Sequence, residues 1–256
     1  MTAYKAFQQD SLQINVYEKE EQMGQASAAL AASYLNKVIA EKGEVNLILA
    51  TGTSQFTFLE SLKKHEIDWK KITVFHLDEY IGISAEHPSS FRRYLLERIL
   101  REVNPKKYYL IEGDAENIDE KIREYASLLK RHPIDLACMG IGENGHIAFN
   151  DPPVADFYDP QLVKQVELDE GCRKQQYNEG WFPSLDTVPT HAITLTIPAI
   201  MNCEMIICNV PGPRKREAVR QAILGPISTA CPASILRQHP HVHLFLDRES
   251  LPTNLA

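Results

Sequence analysis

The sequence has few cysteines, no excess of basic residues and no long apolar run, and each shortage excludes a class of protein. No stretch of about eighteen apolar residues is available to span a bilayer, and the first ten residues lack the apolar core of a signal peptide. A formal net charge of -7 offers no positive surface for DNA or RNA. We therefore expect a cytoplasmic protein with no membrane or nucleic-acid partner.

The cysteines are odd in number and lie mostly in apolar runs, so buried free thiols are expected rather than disulfides. They are Cys138, Cys172, Cys203, Cys208 and Cys231. With 256 residues, of which 44% are hydrophobic and 24% charged, the chain is long enough to bury a large core. We expect a single domain spanning residues 1–256.

Short β-rich runs alternate with helical patterns along the chain. On the first helical pattern, for example, Leu30, Tyr34 and Val38 share one face. This alternation predicts an α/β fold, a Rossmann-like three-layer sandwich with a largely parallel central sheet and helices on both faces. The predicted strands are Leu12–Tyr17, Val45–Leu49, Ile72–His76, Lys107–Ile111, Ile134–Met139, Met205–Val210 and Val242–Leu246.

One polar stretch, residues 153–189, interrupts the alternation of strands and helices. It contains Gly171, Gly180 and Pro183 and has no clear period. Ligands of parallel α/β sheets bind at the carboxyl ends of the strands, where long excursions often cover them. We interpret the stretch as a lid over the site.

The first strand end that carries polar groups is Thr51-Gly52-Thr53-Ser54, between an apolar strand and a helical pattern. Such a turn directs backbone N–H groups and hydroxyls at one point, which suits a phosphate. It matches neither a Walker A sequence nor a dinucleotide fingerprint. The alternative is an ordinary turn in which Ser54 only caps the helix.

The second strand end carries two adjacent carboxylates, Asp78 and Glu79. Because side chains alternate along an extended backbone, only one of them is expected to face a site. We select Asp78 as a base able to take a proton from carbon in a partly dry pocket. The alternative is that both are solvated acids of a loop.

The third strand end is Gly140 to Pro152, which follows the apolar run that ends at Met139. His146 follows two glycines at a tight turn, where an imidazole can be presented to a ligand. Asn144 and Asp151 are placed to orient this imidazole or to contact hydroxyls. Lys215, in the basic run Arg214–Arg216, lies at a predicted helix start and is the basic residue that we assign to a site.

These motifs, in this order, resemble glucosamine-6-phosphate deaminases. The likeness rests on Thr51–Ser54, Phe75–Tyr80, Glu86–Phe91, Gly140–Pro152, Gly212–Ala218 and a closing segment with Gly225-Pro226, Ser234–Leu236 and His239-Pro240. It covers nearly the whole chain. The resemblance implies isomerisation of glucosamine 6-phosphate to fructose 6-phosphate with loss of ammonia, as part of amino sugar metabolism.

The same resemblance implies roles for individual residues. His146 would open the pyranose ring, supported by Asn144 and Asp151, and Asp78 would move the C2 proton to C1. The turn Thr51, Gly52, Thr53, Ser54 would hold the phosphate together with Lys215. No metal and no organic cofactor is implied, because the amine of the substrate supplies the electron sink. A homo-oligomer is compatible with the resemblance.

Two departures from the family pattern indicate a divergent subgroup. The family commonly has glutamate where Asp151 stands, and the lid arginine expected before Val188-Pro189 is missing from the run Gly180-Trp181-Phe182. Arg173 offers a planar fork that suits phosphate and is the predicted replacement. Trp181 offers a means of reshaping the pocket for another sugar.

Other functions stay open at this point. The main competitor is an isomerase or deaminase of a different phosphosugar; a 6-phosphogluconolactonase and a non-catalytic sugar-phosphate sensor are less favoured. The alternating His239, His241 and His243 are compatible with a metal site. A row of histidines at a sheet end is the favoured interpretation because no carboxylate pattern accompanies them.

Overall fold

The computed structural model describes residues 3–255, and its centre is an eight-stranded sheet. One edge pair is antiparallel, and all other neighbours in this sheet run parallel. In their order across the sheet the strands are β1 (Lys5–Gln9), β2 (Leu12–Tyr17), β11 (Val242–Asp247), β10 (Met205–Val210), β7 (Leu136–Met139), β3 (Val45–Leu49), β4 (Ile72–Phe75) and β6 (Lys107–Tyr108).

Helices cover both faces of this sheet. They are α1 (Glu20–Lys42), α2 (Phe56–Leu62), α3 (Phe91–Leu95), α4 (Arg101–Val103), α5 (Ile118–Arg131), α6 (Glu170–Asn178), α7 (Ile197–Met201) and α8 (Arg216–Leu224), with a π turn at Leu96–Leu100 between α3 and α4. Strand β3 shows the two faces, since Leu47 and Leu49 lie in one core and Ile48 lies in the other. Alternating side chains of buried strands therefore supply two cores, one under each helical layer.

A second, smaller sheet is antiparallel and lies beside the carboxyl edge of the first. Its order is β5 (Asp78–Tyr80), β9 (His191–Leu195) and β8 (Val163–Glu167). Aromatic rings pack against it, with Tyr80 at 4.8 Å from Phe91, 5.3 Å from Phe149 and 5.3 Å from Phe182 between ring centroids. This third core fixes the small sheet to the loop that contains Phe149.

The predicted fold class is confirmed, and all seven predicted strands occur in the large sheet. The sequence pattern missed the four strands β1, β5, β8 and β9, each of which pairs antiparallel with its neighbour. Strand β1 alternates half-buried with exposed residues, and β8 mixes buried, half-buried and exposed residues, as edge strands that are partly open to solvent do. Their mixed composition hides them from a search for continuous apolar runs.

The stretch 153–189 is a partly regular segment rather than a plain excursion. It contains β8, α6 and a 3-10 turn at Leu185–Thr187. Asp169 caps α6 by accepting a hydrogen bond from the backbone N–H of Cys172 at 2.6 Å. We refer to residues 153–189 as the lid segment; that it opens and closes stays a prediction.

Two expectations from composition can be compared with the structure. Within residues 3–255, no helix has the length and apolarity needed to cross a membrane. All five cysteines are free and buried.

Candidate active site

The candidate site is a cavity at the carboxyl ends of β3, β7 and β10, bounded by the start of β5 and by α6. Its empty volume is about 650 Å³, which includes space open to solvent. It is lined by Ala50, Thr51, Gly52, Thr53, Ser54, Leu77, Asp78, Phe91, Gly140, Ile141, Gly142, His146, Ala148, Phe149, Gln175, Gln176, Glu179 and Lys215. Three separate strand ends predicted from the sequence therefore meet in one place.

The turn after β3 forms one end of this cavity. Gly52 has φ +101°, a conformation that side chains with a Cβ rarely adopt, and a 3-10 turn from Thr53 to Gln55 leads directly into α2. Ser54 does not cap the helix; its Oγ accepts a hydrogen bond of 2.9 Å from the Gln55 amide, which also donates to the carbonyl of Met139 at 3.2 Å. The turn thus presents hydroxyls and backbone to the cavity.

The turn after β10 repeats this geometry. Gly212 has φ +88°, and a 3-10 turn from Pro213 to Lys215 leads into α8. The backbone N–H of Gly212 lies 3.1 Å from both carboxylate oxygens of Asp247, which fixes the turn. Lys215 is buried at the cavity wall, and burial lowers the pKa of its ammonium group.

Asp78 and Glu79 point in opposite directions from β5. Asp78 pairs with Thr194 in the small sheet, and its side chain lines the cavity. Burial raises the pKa of Asp78 well above its ordinary value, and the nearby charges of Glu79 and Asp151 raise it further. A carboxyl group of raised pKa is a stronger base when it ionises, which suits removal of a proton from carbon.

Glu79 is fully buried and has a structural role. Its carboxylate accepts hydrogen bonds from Ser90 Oγ at 2.8 Å and from the backbone N–H groups of Tyr80 at 2.9 Å, Phe91 at 3.1 Å and Arg92 at 3.0 Å. Arg92 Nε donates a further bond of 3.2 Å. The carboxylate therefore holds the start of α3, where Phe91 forms part of the cavity wall.

His76, two residues before Asp78, is packed inside the fold. Its Nε2 accepts a hydrogen bond of 2.7 Å from the backbone N–H of Ile111, and burial lowers the pKa of the ring to about 3. The neutral ring supports the start of the turn that leads to β5.

His146 stands on a turn that requires two glycines. Gly145 has φ +84°, and a Cβ on Gly142 would lie only 2.2 to 2.4 Å from atoms of the imidazole ring. The ring Nδ1 lies 2.8 Å from Asp151 Oδ1 and 2.7 Å from Asn144 Oδ1. These contacts hold Nδ1 and leave Nε2 as the ring nitrogen that can exchange a proton with a ligand.

Asp151 is buried behind the imidazole. Its Oδ1 also accepts a hydrogen bond of 2.8 Å from the Asn144 amide. Burial raises the pKa of the Asp151 carboxyl, but His146, Asn144 and Cys172 favour the anion more strongly, so the pKa lies below its ordinary value. The predicted trio of Asn144, His146 and Asp151 is thus brought into mutual contact.

A group of three possible metal ligands lies at the same place. One donor atom each from His146, Asp151 and Cys172 falls within 4.8 Å of the others. The hydrogen bond between the imidazole and the carboxylate already accounts for part of this closeness, and burial raises the pKa of the Cys172 thiol well above its usual range. The absence of a metal stays a prediction.

The lid segment supplies three cavity residues that the sequence pattern did not reveal, namely Gln175, Gln176 and Glu179. The side-chain oxygen of Gln175 accepts a hydrogen bond of 2.9 Å from the backbone N–H of Glu143, which ties α6 to the turn of His146. The amide of Gln175 donates to Glu179 at 2.9 Å. A buried glutamine on a polar helix gives no sequence signal for a site, because its burial depends on tertiary packing.

Arg173 and Trp181 are not among the residues that line the cavity. The guanidinium of Arg173 donates from Nη2 to the carbonyls of Leu185 at 2.9 Å and Val188 at 3.1 Å, within the lid segment. Trp181 packs edge-on against Tyr94 at 6.2 Å between centroids. The structure therefore does not bring Arg173 to the turn of Thr51–Ser54.

The histidine row near the carboxyl terminus is bonded to main-chain groups. His239 Nε2 lies 2.7 Å from the carbonyl oxygen of Cys203, and His241 Nδ1 lies 3.2 Å from that of Glu204. Among residues 3–255 these histidines form no cluster of three metal ligands. His243 lies in β11, and His239 and His241 precede this strand. That the row binds no metal stays a prediction.

The chain is similar to a known family of proteins. Residues 18–155 match the family model described as glucosamine-6-phosphate isomerases/6-phosphogluconolactonase. The chain is also 35% identical over 240 residues to a glucosamine-6-phosphate deaminase of Bacillus cytotoxicus, covering 94% of this chain and 88% of that protein. The chain belongs to the glucosamine-6-phosphate isomerase/6-phosphogluconolactonase family.

Other members of the family extend the comparison. A glucosamine-6-phosphate deaminase of Listeria monocytogenes serotype 4a is 38% identical over 226 residues, which are 86% of this chain and 94% of that protein. The solved structure of a monomeric glucosamine-6-phosphate deaminase superposes with a TM-score of 0.84 at 31% identity, covering 93% of this chain and 98% of that one. The fold and the order of the motifs are thus those of the family.

The lactonase branch of the family shares the fold alone. A 6-phosphogluconolactonase from Shewanella baltica superposes with a TM-score of 0.76 at 20% identity, over 91% of this chain and 97% of that one. A shared fold does not determine the reaction, which depends on the residues of the site.

Proposed function

We propose that this chain converts glucosamine 6-phosphate and water into fructose 6-phosphate and ammonia. The observation that carries the proposal is that a buried carboxyl group, Asp78, and an oriented imidazole, His146, line the same cavity as the turn of Thr51–Ser54 and Lys215. One base, one proton carrier and one anion-binding turn are sufficient for proton transfers on a sugar phosphate. The names of the similar proteins support the same reaction.

The phosphate binds at the turn after β3. Thr51, Thr53 and Ser54 offer hydroxyls there, and Gly52 lets the backbone approach the ligand closely. Lys215 faces the same end of the cavity from the turn after β10 and supplies a positive charge. We assign Arg173 to holding the lid segment rather than to the phosphate.

Ring opening uses His146. Its Nε2 takes the proton of the C1 hydroxyl and returns a proton to the ring oxygen as the C1–O5 bond breaks, which gives the open-chain aldehyde. Asp151 and Asn144 hold the ring through Nδ1, and the anionic Asp151 stabilises the imidazolium that forms between the two transfers.

Isomerisation uses Asp78. Its carboxylate removes the C2 proton while the ammonium group on C2 gives a proton to O1, which yields a neutral enolamine, and the carboxyl group then delivers its proton to C1. The product is a C2 iminium ion. Water adds to C2, the carbinolamine loses ammonia, and the ketone of fructose 6-phosphate remains. Every step is a proton transfer or an addition and elimination at C2, so the residues of the cavity suffice without a metal or an organic cofactor.

An isomerase or deaminase of a different phosphosugar is the second candidate. One observation favours it: the cavity wall next to Lys215 includes the carboxylate of Glu179, an unusual neighbour for a phosphate.

For location we propose the cytoplasm, because five free, buried cysteines suit a reducing compartment.

The proposal is tested by incubating the purified protein with glucosamine 6-phosphate and measuring ammonia and fructose 6-phosphate together. The two products are expected in equal amounts. Galactosamine 6-phosphate and N-acetylglucosamine 6-phosphate serve as parallel substrates. If neither product forms at high protein concentration while another phosphosugar is converted, the substrate assignment is wrong.

A further inference from the structure

Glu179 stands at the end of the cavity where the anionic group of a ligand would bind. It lines the main cavity and also an adjoining cavity, and both cavities share Thr53, Ser54 and Lys215 with it. The side chain is half-buried at the carboxyl end of α6. A carboxylate therefore faces the hydroxyl turn and the lysine that would hold an anion.

Neighbouring side chains of the lid segment hold this carboxylate in place. Gln175 donates from Nε2 to one oxygen of Glu179 at 2.9 Å, and Trp181 donates from Nε1 to the other at 3.1 Å. The main chain of Trp181 is held by a hydrogen bond that Ser89 donates to its carbonyl, and the indole packs against Tyr94. Two uncharged donors thus position the anion without neutralising it.

The positive charge at this end of the cavity is small. Lys215 is the one lysine or arginine among the residues that line the main cavity. Arg214, at the adjoining cavity, lies 3.4 Å from Glu143 and is paired with it. The adjoining cavity also includes the carboxylates of Glu20 and Glu249. An entering dianion therefore meets one buried ammonium group and at least one facing carboxylate.

We propose that Glu179 is a specificity-determining residue that makes this end of the cavity favour a monoanionic ester over a dianionic one. The inference rests on the proposed sugar phosphate substrate and specifies the charge of the ester group that is bound. A phosphate monoester loses its second proton near pH 6, so a singly protonated phosphate can donate its O–H to Glu179, whereas a dianion is repelled. The group recognised is thus a protonated phosphate ester or another ester of single charge.

A binding experiment with two unreactive ligands tests the proposal. The probes are 2-amino-2-deoxyglucitol 6-phosphate and its 6-sulfate, which have no carbonyl carbon and so cannot be isomerised. At pH 8 the phosphate is a dianion and the sulfate a monoanion. Calorimetric titration is expected to show that the wild-type protein binds the sulfate at least as tightly as the phosphate.

The variant Glu179→Gln is expected to raise the ratio of phosphate affinity to sulfate affinity about tenfold, because one repelling charge is removed from the dianion's site. Glu179→Ala should move the ratio in the same direction, which separates charge from the hydrogen bonds of Gln175 and Trp181. The matched control is Glu249→Gln, which removes a carboxylate of the adjoining cavity alone and should change the ratio by less than about threefold.

Two results would overturn the inference: an unchanged or lowered ratio in both Glu179 variants, or a wild-type protein that prefers the phosphate tenfold at pH 8. The proposed function fails in a different way. If glucosamine 6-phosphate releases no ammonia while the ratio shifts as expected, the charge selection stands and the reaction does not. If ammonia forms and the ratio does not move, only the role of Glu179 is lost.

Discussion

The two sheets contribute different things to the cavity. The parallel sheet supplies the turn Thr51–Ser54, the imidazole of His146 and the ammonium group of Lys215, all at strand ends. The small antiparallel sheet supplies Asp78 from β5, and its strand β8 leads to α6 of the lid segment, at whose end Glu179 lies. The proposed phosphate anchors and the imidazole for ring opening therefore stand on the larger sheet, and the proposed carbon base stands on the smaller one.

We therefore expect that binding of the substrate and proton transfer from carbon can be altered separately. A change at the turns after β3 and β10 should affect affinity first, and a change at β5 should affect the chemical step first. Substitutions in the two sheets test this separation, and we expect Asp78 to be the most sensitive position.

Replacing the proposed base, Asp78→Asn, should lower kcat at least about a thousandfold, because the amide cannot take a proton from C2. Affinity for 2-amino-2-deoxyglucitol 6-phosphate should stay within about tenfold, since no anchor is removed. Product formation and calorimetric titration measure the two quantities. Asp119→Asn, an exposed aspartate on α5, is the control. Equal losses of affinity and turnover would contradict the separation.

The neighbouring carboxylate, Glu79, should affect the stability of the fold rather than turnover. Glu79→Gln should lower the free energy of unfolding by about 3–5 kcal/mol, because it leaves the buried guanidinium of Arg92 without its buried partner. Urea unfolding measures this. Glu97→Gln breaks the exposed pair with Arg93 and should cost less than about 1 kcal/mol. Full stability with lost turnover would make Glu79 a participant in the chemistry instead.

Removing the anchor on the parallel sheet, Lys215→Ala, should weaken binding of the same phosphate probe by about tenfold to a hundredfold, the size of a hydrogen bond to a charged group. The effect on kcat should be smaller than the effect on KM. Arg216→Ala is a matched control, since Arg216 donates to the carbonyl of Glu249 at an exposed position. Unchanged affinity in the Lys215 variant would place the phosphate elsewhere.

The variant Asp78→Asn should also gain stability relative to wild type as the pH rises. The folded pKa of Asp78 is raised, so the folded protein retains a proton that the unfolded chain has already lost, and wild-type stability falls with rising pH across that window. The asparagine side chain does not ionise, so the variant does not lose stability in this way. Between pH 5 and pH 8 the difference should grow by an amount on the order of 1 kcal/mol or more, as measured by urea unfolding. A difference independent of pH would mean that Asp78 ionises normally.

The smallest effect is expected at Arg173. Arg173→Lys should cost about 1 kcal/mol of stability, since a single ammonium replaces the fork that donates to Leu185 and Val188. Affinity for the phosphate probe should stay within about threefold. Thermal unfolding and calorimetry measure these values, and Lys174→Ala on the exposed side of α6 is the comparison. A tenfold loss of affinity at full stability would restore Arg173 as a phosphate ligand.

Sequence patterns predicted the parallel sheet well because its strands are rich in apolar and β-branched residues. Leu12–Tyr17, Val45–Leu49 and Met205–Val210 have the predicted bounds. Strand β6 is the exception, since only Lys107–Tyr108 pairs and both residues are exposed. The small sheet was missed because Asp78–Tyr80 is too short to form a pattern, and β8 mixes polar with apolar residues at its edge.

The sequence by itself determined the fold class, the order of the motifs and which residue types meet a ligand, because glycine turns after apolar strands have few possible geometries. Only the tertiary structure decided which side chains share the cavity. It placed the Glu79 carboxylate against the start of α3 and directed the Arg173 guanidinium to a carbonyl group of the lid segment. It also brought Glu179 to the same cavity wall as Lys215. The reason is physical: a strand end is encoded by neighbouring residues, whereas the direction of a lid side chain depends on partners distant in the chain.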